Sequence, residues 1–180
     1  MNKIGLTGNI ASGKSEVEKI ISNLGFEVID LDKIVHNLYE DNAIKEELLK
    51  TFSTSNRKEI AQIVFKDKNK LKKLEEIIHP ILKNFIINLD DTKVTFVSGA
   101  LLFEAHFDKL FDKIIFVDAP LDLRLKRLMK RNNLSKNEAL VRITSQNSNY
   151  IKNADYIIEN DSNLEELKQK VTDLLPKILK

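Results

Sequence analysis

The sequence predicts an α/β fold built around a parallel sheet, on three observations. Gly8-Asn9-Ile10-Ala11-Ser12-Gly13-Lys14-Ser15 fits G-x-x-x-x-G-K-[ST] between an apolar run and a helical pattern, the setting in which such a segment forms a phosphate-cradling loop. Short apolar runs alternate with amphipathic helical stretches, and strand–helix–strand alternation implies parallel pairing. The chain is 180 residues long and 42% hydrophobic, enough for one well-buried core and short for two. A single α/β domain with insertions is therefore expected.

Taken in order, Lys3–Leu6 reads as the first strand and Glu16 to Leu24 as the helix after the loop, with Gly25 as its stop. Phe26–Ile29 is the second strand. From Lys33 to Leu89 the pattern turns helical: Ile44, Leu48 and Leu49, then Ile60, Ile63 and Val64, then Leu71, Leu74, Ile77 and Ile78 fall at helical spacing. Ser53–Asn56 separates two of these helices, and His79-Pro80 interrupts the pattern, the proline starting a new helix or kinking the old one. So long an excursion between strands is either a substrate-covering subdomain or a larger helical layer on the core. The sheet resumes at Lys93–Ser98 and Lys113–Val117 and ends at Tyr156–Ile158, with helices from Leu121 to about Arg131 and from Lys136 to about Gln146 between the last two strands. A closing helix turns Leu164, Leu167, Val171, Leu174 and Leu175 inward.

Composition narrows the function classes. The chain has no cysteine, so disulfides and thiolate metal sites are excluded. Basic and acidic residues number 29 and 27, for a net charge of +2, which gives no general case for nucleic acid. No apolar stretch approaches a membrane span and no secretion-signal pattern opens the sequence; a cytoplasmic protein, monomeric or weakly self-associating, is expected.

The chemistry expected of the loop follows from its residue types. Glycines Gly8 and Gly13 let backbone N–H groups close around phosphates, Lys14 reaches the β- and γ-phosphates, and the Ser15 hydroxyl can ligate Mg²⁺. Asp30 and Asp32 follow the second strand, whose carboxyl end lies beside the loop in a doubly wound sheet. Either carboxylate can orient an acceptor hydroxyl and take its proton, or cap the next helix. Arg124, Arg127 and Arg131 share one face of a helix at i, i+3 and i+7. They form either a cationic arm over a polyphosphate, with Arg142 as a further member, or a solvated basic face. On spacing alone His79 is structural, Glu104 either faces the cleft or is an ordinary acid, and Asp118 caps the helix beginning near Pro120.

Together these stretches resemble the dephospho-coenzyme A kinases over nearly the full length. Val28-Ile29-Asp30-Leu31-Asp32 looks like the family's V-I-D-A-D, Ile78-His79-Pro80 like its L-x-H-P, and Leu101-Leu102-Phe103-Glu104 like its L-L-F-E. Leu125 to Arg131 resembles its lid helix, and Arg142-Ile143, Gln146 and Ala154 to Asn160 its lid and adenine-side segment. The resemblance implies a P-loop kinase, a three-layer sandwich on a five-stranded parallel sheet. Its core would be about 1–32, 90–120 and 154–180, with a helical acceptor-binding insertion about 33–89 and a helical lid about 121–153. It implies that ATP, with Mg²⁺, phosphorylates the ribose 3′-hydroxyl of dephospho-coenzyme A. Asp32 would be the base, Lys14, Arg127 and Arg131 would act on the transferring group, and Gly8 to Ser15, Arg142 and Asn160 would hold the nucleotide. Asp30, Asp32, His79, Leu102 and Glu104 would meet the acceptor, and Ser15 the metal. The sequence departs from the family pattern at His36, Lys83 and Ala100, and its Gln146–Ala154 and Ser53–Asn56 stretches are short. Another small-molecule kinase of the same superfamily, or a non-catalytic ATP-binding regulator, is the alternative.

Overall fold

A computed structural model describes residues 2–146 and 148–179. In chain order its elements are β1 (Lys3–Gly8), α1 (Lys14–Asn23), β2 (Glu27–Asp30), α2 (Leu31–Leu38), α3 (Asn42–Phe52), α4 (Arg57–Lys66) and α5 (Lys68–Ile87). After these come β3 (Thr95–Ser98), β4 (Lys113–Asp118), α6 (Leu121–Asn132), α7 (Lys136–Thr144), β5 (Tyr156–Glu159) and α8 (Leu164–Ile178). The strands form one sheet ordered β2-β3-β1-β4-β5, with β1 parallel to β3 and β4, and β4 parallel to β5. Parallel neighbours need long crossovers, and the helices supply them. The chain divides into two compact units, one drawn from the stretches up to Ile29 and from Asp91 onward, the other Asp30–Asp90.

In the sheet unit, strand periodicity sends alternate side chains to opposite faces. Ile4 and Leu6 of β1, Phe96 of β3, Ile115 and Val117 of β4 and Ile158 of β5 meet Val17, Ile20 and Ile21 of α1 and Leu167, Val171, Leu175 and Ile178 of α8. Burial of each large side chain contributes about 1.5–3 kcal/mol. Ile114 and Phe116 take the other face with Phe103, Phe111, Tyr150 and Ile151, and the Phe103 and Tyr150 rings stack with centroids 5.2 Å apart. Gly5 belongs to this second face, where a Cβ would press on the Phe111 ring at 3.0 Å. The turn after α1 closes on Gly25 at φ 92, with the Phe26 N–H reaching back to the Ile21 carbonyl at 3.4 Å, the expected helix stop.

In the helical unit, each helix opens on a side-chain cap. Asp30, Asp41, Asn56 and Asp67 accept from backbone N–H groups in the first turns of α2, α3, α4 and α5, satisfying donors that a helix start leaves open. Leu48, Phe52, Ile60, Ile77, Ile78, Leu82 and Ile86 are buried, whereas Leu49 and Leu71, grouped with this face by spacing, are exposed. The proline does not start a new helix: α5 runs from Lys68 through Pro80 to Ile87. Pro80 removes one N–H from the ladder, and the buried residues on both sides of it keep the rest aligned. Among the described residues no helix is long and apolar enough to cross a membrane.

Candidate functional site

The loop between β1 and α1 takes its shape from glycines and from partners reaching in from later segments. A Cβ at Gly8 would overlap the Val117 carbonyl oxygen, and one at Gly13, which sits at φ 97, would overlap Asn160 Nδ2. Both glycines are therefore dictated by space, and Gly13 also by conformation. Ala11 adopts φ 60, a left-handed conformation that costs a residue with a Cβ about 1 kcal/mol. The Asn9 N–H donates to the Val117 carbonyl at 3.1 Å and the Ser12 N–H to the Asn9 carbonyl at 3.0 Å, folding the loop back on itself. Ser12 is 1% exposed, and its Oγ has no hydrogen-bond partner among the described residues.

Helix α1 opens on Gly13 with no side-chain cap, unlike α7 and α8, which begin on Ser135 and Asn163. Its first-turn N–H groups thus have no side-chain acceptor among the described residues, and a helix start of this kind favours an anion. Lys14 Nζ, on the first turn, donates to Glu18 Oε1 at 2.7 Å and to Ser98 Oγ at 2.6 Å, and Ser98 Oγ itself donates to Glu18. Ser15 is exposed one residue further on. Among the described residues no group of three or more His, Cys, Asp or Glu side chains can hold a metal ion. A cation here would take most of its ligands from phosphate oxygens beside the Ser15 hydroxyl, a hard oxygen set that suits Mg²⁺.

Arg127 and Asn160 brace the second half of the loop. Asn160 Nδ2 donates to the Ser12 carbonyl at 2.8 Å, and Arg127 Nη1 donates to the same carbonyl at 3.3 Å. Arg127 Nη2 donates to the Asn160 carbonyl and side-chain oxygen at 3.3 and 3.4 Å. The first half rests on Asp118, whose Oδ1 accepts from Asn9 Nδ2 at 2.7 Å and lies 3.6 Å from Arg124 Nη1. Two expectations are corrected here. Asp118 caps no helix, because α6 opens on Pro120 without a side-chain cap and the carboxylate is taken by Asn9 and Arg124. Arg124 is not part of a solvated basic face; it is 8% exposed and its charge is met by Asp118.

The other expected residues are distributed as follows. Arg131 is exposed and its Nε donates to Asn132 Oδ1 at 3.0 Å; Arg142 is exposed in the last turn of α7. Leu102 is 1% exposed, so its side chain packs in the interior. Glu104 lies in the turn after β3, and partial burial pushes its carboxyl above the usual carboxylate range. In the helical unit, Asp30 caps α2, accepting from the Asp32 and Lys33 N–H groups at 2.9 and 3.4 Å. Asp32 is exposed in the first turn of α2. His79 is half-buried in α5, and burial lowers its pKa against the opposing pull of Glu75. Sequence reasoning missed Glu18, Ser98 and the supporting role of Asp118. Only Glu18 carried a signal, its i+4 spacing from Lys14.

Comparisons with known proteins point the same way as this geometry. Residues 2–166 match the family model described as dephospho-CoA kinase. A dephospho-CoA kinase of Fusobacterium nucleatum is 42% identical, the match covering 93% of this chain and 94% of that one. A solved structure from Thermus thermophilus aligns with a TM-score of 0.84 at 31% identity, covering 98% of this chain and 97% of that one. The structure of a dephospho-CoA kinase from Campylobacter jejuni aligns with a TM-score of 0.70 at 32% identity, covering 98% and 96%.

Proposed function

The chain belongs to the dephospho-CoA kinase family, and on that premise we propose that it transfers the γ-phosphoryl group of ATP to the ribose 3′-hydroxyl of dephospho-coenzyme A. The observation that carries the nucleotide half of this reading is a helix whose start is left to backbone N–H groups, at the end of a glycine loop that also bears Lys14. The new bond joins the acceptor oxygen to the γ-phosphorus, the bond to the bridging oxygen breaks to leave ADP, and the hydroxyl proton passes to a carboxylate. Asp32, exposed in the first turn of α2 and matching the second aspartate of the family's V-I-D-A-D stretch, takes that role.

Lys14 moves from Glu18 and Ser98 to the β- and γ-phosphates, a short reach for a flexible four-carbon stem. The Ser15 hydroxyl and the phosphates would hold Mg²⁺, which neutralises charge on the polyphosphate. Arg127 contacts the loop that cradles the phosphates, and Arg131 and Arg142 are the cations of a lid spanning 121–153 that closes over the transferring group and excludes water. Residues 33–89 form the insertion that binds the acceptor, with His79 among its contacts, and Glu104 meets the acceptor from the sheet unit.

Incubation with Mg-ATP and dephospho-coenzyme A, followed by mass measurement of the acceptor, tests the reaction; one added phosphate on the ribose is the expected result. Phosphorylation of another acceptor but not this one would keep the kinase and discard the substrate. Asp32→Asn is expected to leave Mg-ATP binding intact and lower turnover at least about 100-fold in a coupled ADP-release assay. Near-normal turnover would remove Asp32 from the role of base.

A further inference from the structure

Gln146 lies just past α7, and its amide bonds the phosphate loop twice. Oε1 accepts from the Ile10 N–H at 2.7 Å, and Nε2 donates to the Gly8 carbonyl at 3.3 Å. Along an extended backbone, peptide groups point alternately to opposite edges. The Asn9 N–H faces β4, where it meets the Val117 carbonyl, while the Gly8 carbonyl and Ile10 N–H on either side of it meet Gln146. One side-chain amide thus stands where a neighbouring strand would, because an amide offers both the donor and the acceptor that this edge needs. Apolar contact joins the same elements, since Ile10 and Ala11 pack against the cluster of Leu128, Ala139 and Ile143 that unites α6 with α7.

We propose that Gln146 is a positioning residue that keys the phosphate loop to the α6–α7 pair and thereby sets nucleotide affinity. The proposal rests on the reading of this loop as the nucleotide site. A loop held from both edges is ordered before the polyphosphate arrives, so less binding energy is spent on ordering it. The arrangement also links the two motions of the reaction: a shift of Ile10 when phosphate enters is felt directly by the helices that carry Arg127, Arg131 and Arg142.

The test compares the full chain with Gln146→Met, which keeps length and loses both hydrogen bonds, and Gln146→Glu, which keeps the acceptor and loses the donor. In calorimetry the Kd for Mg-ATP is expected to rise about tenfold in Gln146→Met, with the KM for the acceptor changed less than about twofold and the Tm within about 2 °C. Gln146→Glu is expected to bind more weakly still, because its second oxygen faces the Gly8 carbonyl and its charge opposes the polyphosphate. The Ile10 amide proton resonance moves upfield in the Met variant and keeps its hydrogen-bonded position in the Glu variant. Unchanged Mg-ATP affinity in Gln146→Met overturns the proposal, as does a loss of affinity that only tracks a lowered Tm. A wild-type chain that takes up no Mg-ATP overturns the reading of the loop itself, which separates the two failures.

Discussion

Asp118 carries two partners at the end of β4, the Asn9 side chain and the Arg124 guanidinium, and loss of its carboxylate leaves both unsatisfied. With Arg124 8% exposed, Asp118→Ala strands a charge in the interior, and thermal or denaturant unfolding is expected to show a loss of about 2–4 kcal/mol. A change below about 0.5 kcal/mol would mean that the pair is solvated. This brace was not legible in the sequence. The i, i+3, i+7 spacing of Arg124, Arg127 and Arg131 says that they share a side of α6, but not that the side turns from interior to solvent along its length. Arg127 lies between the extremes, half-buried against Ser12 and Asn160, so its guanidinium supports the loop as well as lending it charge. Asn160 was placed near the nucleotide by resemblance alone; that it fills the space beside Gly13 shows only in the folded chain, because 147 positions separate them.

Helices show more of their origin in the sequence than strands do. The capping residues Asp41, Asn56 and Asp67 stand immediately before their helices, and Gly25 ends α1, so these boundaries follow from local chemistry. The strands were found by their apolar runs, but β3 starts only at Thr95, where its ladder with β1 begins opposite Lys3. At Pro80 the sequence left a new helix or a kink in the old one open, and one helix runs through it, because packing of the long α5 outweighs one lost hydrogen bond. That same helix holds a pH-sensitive group. Burial lowers the His79 pKa below the ordinary value near 6.5, so the folded state disfavours the imidazolium. Stability is fully present above the unfolded pKa and falls as pH drops through the folded one. Denaturant midpoints measured from pH 7 downward should therefore decline, and Gln in place of His79 should flatten the part of the decline that begins below about pH 6.5. An identical profile in the variant would place the sensitivity elsewhere.

At the scale of the whole molecule, ligand and fold are linked by mass action. A nucleotide that binds only the folded chain adds about 2.7 kcal/mol at one hundred times its Kd, which for a chain of this size raises the Tm by about 5–10 °C. Thermal scans with Mg-ATP are expected to show that rise, and Lys14→Ala to abolish most of it; no rise in the wild type would take the triphosphate out of the loop. The α/β class and the loop itself were legible because each rests on a short-range pattern with one chemical meaning, whereas the strand order, with β3 between β1 and β2, rests on long-range pairing that no local pattern spells out. The supports of the loop were not, because Ser98, Asp118, Gln146 and Asn160 come from four distant segments that only the folded sheet assembles. A grip made largely of peptide groups at the start of α1 reads charge and the spacing between phosphorus atoms, features common to every purine and pyrimidine triphosphate. Discrimination among bases must then be exercised at the far end of the ligand, and exchanging residues there should redirect donor choice without touching the cradle.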